Sequence, residues 1–184
     1  MIWLLVLLAI VLAVFLLLVL LYNRLVRLRN RVDNAWAQVE VQLKRRWDLI
    51  PNLVETVKGY AAHELETFES VTQARTAAQQ ARTPAETAQA EGILGAALGR
   101  LLAVAEAYPE LQADENFRQL QTELAETENR VATSRQVYND SVLTYNNTVQ
   151  TLPGVVFAGP FGFTVREFFE VEEEAQREAP VVDF

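Results

Sequence analysis

The sequence predicts an all-α protein in which an N-terminal transmembrane helix is followed by an antiparallel up-and-down bundle of long helices. Three observations lead to this prediction. Ile2 to Leu21 is an uninterrupted apolar run of 20 residues. Apolar residues then recur at spacings of three, four or seven, the period of helices with one buried face. Only short breaks separate these periodic segments, and short connections between long helices make neighbours antiparallel.

The apolar run has the length that a helix needs to cross about 30 Å of hydrocarbon. Trp3 and Tyr22 bracket the run and suit the two membrane interfaces, roughly 28 Å apart at about 1.5 Å per residue. Arg24, Arg27 and Arg29 follow, so the positive-inside rule predicts a single-pass cell-membrane protein with a short N-terminus outside and the helical domain in the cytoplasm. A cleaved signal peptide is the alternative, but the run is too long and lacks both a basic start and a cleavage site.

Charge is distributed unevenly along the chain. Residues 24–46 hold seven Lys or Arg against two acidic residues, whereas the other residues hold nine basic against 22 acidic side chains. A basic collar beside an acidic body suits an anionic membrane surface and argues against nucleic acid as a partner. The chain has no cysteine, which excludes disulfides and thiolate metal sites.

The first periodic segment predicts a helix over Leu25–Gly59. Its apolar residues lie on one face, and Pro51 interrupts the pattern. Because a proline has no backbone N–H and clashes with the carbonyl of Trp47, it costs roughly 3 kcal/mol or bends the helix. The pattern therefore predicts a kink near Pro51 and a continuation of the helix to Arg82.

Two further helices are predicted, over Pro84–Tyr108 and Asp114–Thr151. Thr83 and Glu86 have the spacing of a capping box, with Pro84 at the first helical position. Asp114 is the expected cap of the last helix, which keeps a coiled-coil-like repeat for over four heptads. Its seam residues are Phe117, Leu120, Leu124, Thr127, Val131, Ser134, Tyr138, Ser141 or Val142, Tyr145 and Val149.

The segment Leu152–Phe163 is apolar, punctuated by glycine and proline, and too short to span a bilayer. Two interpretations stay open for it: a cap folded over the end of the bundle, or a contact surface for membrane or partner that uses Phe157, Phe161 and Phe163. A short helix is expected over Thr164–Phe169, followed by an acidic tail over Glu170–Glu178. The predicted domains are residues 1–22 as the anchor, 23–151 as the cytoplasmic bundle, and 152–184 as the loop, short helix and tail.

Residue patterns typical of enzymes are missing. His63-Glu64 has the first two residues of a zinc-protease HExxH motif, but the chain has no second histidine. No nucleophile elbow, P-loop or dinucleotide-binding fingerprint occurs. Lys44, Arg45 and Arg46 suit either an anionic lipid surface or a solvated helix face. We therefore expect no catalytic residues, metal, cofactor or small-molecule substrate.

Several long motifs resemble the bacterial LemA family. They are AWAQVEVQLKRRWDLIPNLVETVKGYAAHE, AYPELQADENFRQLQTELAETENRVATSRQVYNDSVLTYNNTVQ, and FAGPFGF ahead of an acidic stretch. The resemblance covers nearly the whole chain after the apolar run and implies a single-pass anchor with an all-helical antiparallel domain. It supplies no catalytic residue. Two departures stand out: Trp47 replaces a more usual small residue, and Pro160 interrupts a run that more often reads AGLFGF.

The sequence favours a membrane-anchored, non-enzymatic scaffold or adaptor. An apolar stripe beside the bilayer is the candidate interaction surface, and we expect it to mediate self-association or contact with another membrane protein. Its residues are Leu25, Leu28, Val32, Trp36 and Val39. Two alternatives remain: a hydrolase-like enzyme with an unrecognised site, and an accessory subunit of another membrane protein such as a protease.

Overall fold

The computed structural model describes residues 2–170, and within this range it is helical without any strand. The predicted all-α class is confirmed. All of the predicted acidic tail after Glu170 lies outside the described residues. The helices, in chain order, are α1 (Ile2–Lys58), α2 (Leu65–Gln80), α3 (Pro84–Glu106), α4 (Pro109–Ala113), α5 (Glu115–Gln150) and α6 (Gly154–Ala158).

The chain forms two compact units. The first contains Ile2–Glu40 together with Ser134–Glu167, and the second contains Val41–Thr133 with Phe168–Glu170. Both α1 and α5 therefore contribute to each unit. The predicted boundaries, at residue 22 for the membrane anchor and at residue 151 for the end of the bundle, are of a different kind from these compact units and stay predictions.

The second unit has an apolar core built from five helices. Large buried side chains come from all five helices, and α2 supplies Phe68 and Val71. The short loop between α2 and α3 makes these helices a hairpin, and the Arg100 guanidinium of α3 donates to Ser70 Oγ of α2 at 3.0 Å. The core residues include Ile50, Leu53, Val57, Phe68, Val71, Leu94, Leu98, Leu101, Leu111 and Phe117.

The first helix does not end at its proline. α1 passes through Pro51 to Lys58, and α2 starts only at Leu65. The predicted continuation to Arg82 is therefore wrong. Pro51 deprives the Trp47 carbonyl of its helical donor, and the Arg75 side chain of α2 replaces that donor, with Nε to oxygen at 2.8 Å. A tertiary bond thus satisfies the carbonyl that the proline leaves unpaired.

The predicted helix starts are confirmed by their hydrogen bonds. Thr83 Oγ1 accepts from the Glu86 N–H at 3.2 Å, while the Glu86 carboxylate accepts from the Thr83 N–H at 3.3 Å. This is the reciprocal pairing of a capping box. Asp114 Oδ1 accepts from the Phe117 N–H at 2.9 Å. That bond, together with one from the Tyr60 hydroxyl, holds the pKa of Asp114 below its usual value.

The predicted seam of α5 is also buried as expected in the first unit. Tyr138, Val142 and Tyr145 are almost fully enclosed. They pack beside buried residues of α1, as shown by the Trp36 and Tyr138 rings, whose centroids lie 5.1 Å apart. The core of this unit therefore forms between the two long helices.

Candidate functional site at the end of the apolar run

An aromatic cluster surrounds the point where the apolar run of α1 ends. The ring of Tyr22 lies 5.5 Å from that of Phe161 and 5.7 Å from that of Phe163, both in edge-on geometry. The Arg29 guanidinium stands over the Phe163 ring at 5.5 Å. Tyr22 and Arg29 are seven residues, or about two helical turns, apart, so their side chains lie on the same face of α1 and both contact the Phe163 ring. We call Tyr22, Arg29, Phe161 and Phe163 the aromatic junction.

An extended segment, residues 164–167, continues from the junction, and we call it the strap. The Tyr145 hydroxyl donates to the Thr164 carbonyl at 2.9 Å. The Asn146 side chain donates to the Arg166 carbonyl and accepts from the Arg166 N–H, both at 2.8 Å. The Tyr138 hydroxyl donates to the Glu167 carbonyl at 2.8 Å. Side chains of α5 thus satisfy the backbone of the strap.

The predicted short helix over Thr164–Phe169 is wrong, and these hydrogen bonds give the reason. Residues 163–170 adopt no helix, and the short helix α6 lies earlier, at Gly154–Ala158. Helix formation would require the strap's backbone groups to bond among themselves. Instead, Tyr138, Tyr145 and Asn146 occupy them.

One ion pair and two buried hydroxyls complete the strap. The Arg166 guanidinium contacts the Asp33 carboxylate of α1 at 2.8 Å, with both side chains partly exposed. Burial raises the pKa of the Tyr138 hydroxyl to about 12, even though nearby Arg166 lowers it. Burial likewise raises the pKa of Tyr145. Both hydroxyls therefore remain protonated donors across the physiological pH range.

Two glycines allow the turn that precedes the strap. A Cβ on Gly154 would lie 1.8 Å from the Thr148 carbonyl oxygen, so only glycine allows this close approach to α5. Gly162 has φ of +74°, a conformation that side chains with a Cβ disfavour. The Phe163 N–H then donates to the Ala158 carbonyl at 2.9 Å, which folds the chain back onto α6.

The three phenylalanines of the predicted contact loop have different environments. Phe163 is buried in the junction, Phe157 is half-buried, and Phe161 is half exposed although its ring touches Tyr22. Phe163 thus packs as the cap interpretation requires. The other large apolar side chains of the segment, Leu152, Val155 and Val156, are exposed.

The residues of the predicted membrane anchor are exposed on α1. Trp3 and nearly all side chains of the apolar run are exposed, whichever face of the helix they occupy, which is the pattern expected of a lipid-facing segment. Arg24, Arg27 and Arg29 are also exposed. By length and composition α1 is suited to cross a membrane; α3 passes the same criterion, but its apolar face forms part of the core of the second unit.

The predicted interaction stripe on α1 is largely not available. Leu25, Val32 and Val39 are each at most 2% exposed because they form the core of the first unit with α5. Leu28 and Trp36 are half-buried. The expectation that this stripe is unpaired is therefore wrong. The sequence analysis underestimated how far α5 and the strap cover α1.

A buried charge network in the second unit escaped the sequence analysis. The Arg46 guanidinium contacts the Glu91 carboxylate at 2.5 Å and that of Glu128 at 2.6 Å. The Trp47 indole N–H donates to Glu91 at 2.7 Å. Burial raises the pKa of Glu91, and the charge of Arg46 and these hydrogen bonds only partly offset this effect. Arg46 is therefore a structural residue rather than part of a lipid-binding patch.

His63, the residue best suited to acid–base chemistry, is exposed and lies in the turn before α2. No three His, Asp or Glu side chains of the described chain are close enough together to hold a metal ion. The sites that the structure does build, the junction with its strap and the charge network, hold helices in place.

The sequence profile of the LemA family matches residues 35–184. The chain is 28% identical to magnetosome protein MamQ 2 of Paramagnetospirillum magneticum, across 88% of this chain and 68% of that protein. It is 26% identical to MamQ of Magnetospirillum gryphiswaldense across the same shares. It is 27% identical to protein LemA of Metamycoplasma hominis, across 70% of this chain and 59% of that one. With the profile spanning most of its length, the chain belongs to the LemA family.

Proposed function

We propose that this protein is a membrane-anchored, non-enzymatic scaffold or adaptor that acts through its helical domain. One observation carries the proposal: α1 is a single helix whose exposure changes at Tyr22. Before Tyr22 nearly all its apolar side chains are exposed, with only Leu18 and Leu21 half-buried, and from Leu25 onward one face is buried in protein. A helix of this kind couples a lipid-facing segment directly to a folded domain without a flexible linker.

The hydrogen bonds of the first unit support the adaptor role. The strap ties α5 to the aromatic junction through Tyr138, Tyr145 and Asn146. The Arg166–Asp33 pair ties it to α1. Because these contacts engage the parts of both long helices that lie in the first unit, they fix the orientation of that unit to the apolar run. Fixed orientation is what an adaptor needs to present a surface at a set distance from the bilayer.

The proposed orientation has the helical domain in the cytoplasm, because exposed arginines directly follow the apolar run. The absence of cysteine allows single reporters to be introduced. Gln79 is exposed on α2 and makes no capping bond, so Gln79→Cys is a suitable reporter. We expect it to resist a membrane-impermeant maleimide in intact cells and to react after lysis. An Ile2→Cys variant should already react in intact cells. Labelling of Gln79→Cys in intact cells would overturn the proposed orientation.

The non-enzymatic character is tested at the residue best suited to acid–base chemistry. His63 is the chain's one histidine, and it is exposed in the turn before α2. We expect the His63→Ala variant to complement a deletion strain as fully as the wild-type protein does. Loss of complementation with normal protein level and normal helical content would instead support an enzyme.

We propose that the scaffold associates with a second copy or with another membrane protein. Self-association requires a surface other than the stripe of Leu25, Val32 and Val39, since that stripe is buried within one chain. Sizing of the full-length protein in mild detergent tests this. A dimer or larger assembly would support self-association, and a monomer at native membrane density would leave a heterologous partner.

A further inference from the structure

The segment between α5 and the strap exposes more apolar surface than a simple cap requires. Residues 151–165 contain no charged side chain. Leu152 is 78% exposed, and Val155, Val156 and Phe161 are each at least 50% exposed. A contiguous set of large apolar side chains on a surface usually marks a contact with another phase or molecule. We call Leu152, Val155, Val156 and Phe161 the wedge.

The wedge is a formed structure rather than a loose loop. Gly154 and Ala158 of α6 are buried, while Val155 and Val156 on the same helix face outward. Gly154 lies tightly against the Thr148 carbonyl, and Phe163 is buried in the aromatic junction. The exposed side chains are therefore held outward by the same contacts that bury their neighbours.

The position of the wedge is set by Tyr22. Phe161 lies against Tyr22, the residue that directly follows the 20-residue apolar run. In a spanning helix this residue lies at the boundary between hydrocarbon and headgroups, where tyrosine is enriched. The wedge is thus fixed beside the level at which α1 enters the membrane.

Exposed arginines follow Tyr22 on α1 and suit the headgroup region of anionic lipids. Arg24, Arg27, Arg29 and Arg31 lie within the three turns after Tyr22, and Arg29 contacts the Phe163 ring next to the wedge. Basic side chains near an anionic membrane surface are attracted to it. An apolar patch with adjacent basic side chains is the arrangement of segments that lie in a membrane interface.

We propose that the wedge is a second membrane contact, in which Leu152, Val155, Val156 and Phe161 insert into the same leaflet boundary that Tyr22 marks. The occupant of this apolar surface is the lipid bilayer itself. Because Phe161 and Phe163 pack on Tyr22, wedge and anchor enter the membrane as one body. This contact fixes the rotation of α1 about its axis, which a single spanning helix leaves free. The inference rests on the proposed membrane anchoring.

Single cysteines carrying the environment-sensitive fluorophore NBD test the proposal in the full-length chain. The protein is reconstituted in vesicles of equal phosphatidylcholine and phosphatidylglycerol, with or without a nitroxide quencher attached to the lipid chains. The reporter is Val156→Cys. Leu143→Cys on α5 is the matched control, since Leu143 has similar exposure in the same unit but lies outside the wedge. Leu12→Cys reports the anchor.

We expect lipid-attached quencher to reduce the emission at position 156 several-fold more than at position 143, together with blue-shifted emission at 156. Quenching at position 12 but not at 156, with 156 open to aqueous iodide, would overturn the wedge and leave the anchor intact. Protection of position 156 from both quenchers would also overturn it, because protein rather than lipid would then cover the surface. No lipid quenching at position 12 would overturn the anchoring as well.

Discussion

Each of the two units of this protein is stabilised internally by a different kind of interaction. In the first, neutral side chains of α5 bond to the backbone of the strap, and aromatic rings meet around Tyr22. In the second, an apolar core surrounds a buried ion pair between Arg46 and Glu91. The first arrangement depends on direction and shape, whereas the second depends on the balance between charge attraction and the cost of burying charge.

This difference predicts where each unit is sensitive. The hydrogen bonds from Tyr138, Tyr145 and Asn146 are neutral near pH 7, so these bonds should tolerate changes of pH and salt. The partly exposed Arg166–Asp33 pair of the strap should weaken as salt screens it. The buried carboxylate of Glu91 should make the second unit sensitive to both pH and the loss of its partner. The comparison implies that the unit carrying the anchor is the more robust to solution conditions.

The largest effect is expected from Arg46→Ala. The substitution leaves the Glu91 carboxylate buried without its cation, and breaking a buried pair in this way costs about 3–5 kcal/mol. Urea unfolding of the full-length protein in detergent, followed by circular dichroism, measures the loss. The exposed neighbour Arg45 is the matched control, and Arg45→Ala should change stability by no more than about 0.5 kcal/mol.

The double variant Arg46→Met with Glu91→Leu sharpens the same prediction. Replacing both charges by apolar side chains removes the desolvation cost, so most of the lost stability should return. A double variant as unstable as Arg46→Ala would show that the network's geometry, rather than its charge balance, stabilises the second unit.

A smaller effect is expected from Asn146→Ala in the first unit. It leaves the N–H and carbonyl of Arg166 without partners, at a cost of about 2 kcal/mol. Hydrogen exchange of the Arg166 amide should accelerate accordingly. Asn147→Ala, at an exposed position on the same helix, should leave that exchange unchanged. Equal exchange in both variants would mean that the strap is held by other contacts.

The substitution Arg75→Leu should cost about 1 kcal/mol, because it leaves the Trp47 carbonyl without a donor. Adding Pro51→Ala restores a backbone N–H that can donate to that carbonyl. The two substitutions together should therefore be less destabilising than the sum of their separate effects. Strict additivity would show that Arg75 does not compensate for the proline.

The smallest effect is a pH dependence of the second unit. Burial raises the folded-state pKa of Glu91 above the ordinary value of 4.5. The folded state therefore holds this proton more tightly than the unfolded state, so the contribution of Glu91 is fully present below pH 4.5 and declines as pH rises through the folded pKa. Relative to Glu91→Gln, the wild type should lose stability over that window. If the wild type instead gained stability relative to Glu91→Gln as the pH rises, the raised pKa of Glu91 would be contradicted.

Periodicity predicted the helices well because it depends on local spacing. The buried seam from Phe117 to Val149 and the cap at Asp114 follow from residues that are neighbours in sequence. How α1 passes through Pro51 could not be predicted, because the compensating donor is Arg75, which reaches the Trp47 carbonyl only after α2 packs on α1. The actual break between α1 and α2 is marked in the sequence only by Gly59.

The sites were less predictable than the helices. Arg46 and Glu91 are 45 positions apart, and the pairing of one of many arginines with one of many glutamates appears only when three helices pack. The strap presented a different difficulty. Tyr138, Tyr145 and Asn146 lie on one face of α5 at helical spacing, a signal that was visible, but their partners are backbone groups that no side-chain pattern identifies.

The central claim is that α1 leaves the membrane at Tyr22 and enters the folded domain as one uninterrupted helix. Single cysteines at positions 17–32 of the full-length protein in vesicles, reacted with a water-soluble maleimide, test it most directly. We predict protection at Leu17 and Leu20, reaction at Arg24, protection again at Leu25 and Val32, and reaction at Arg31. This alternation requires lipid before Tyr22 and a helical protein contact after it. Uniform reaction from position 17 onward, or reaction at every position after Tyr22, would contradict the account.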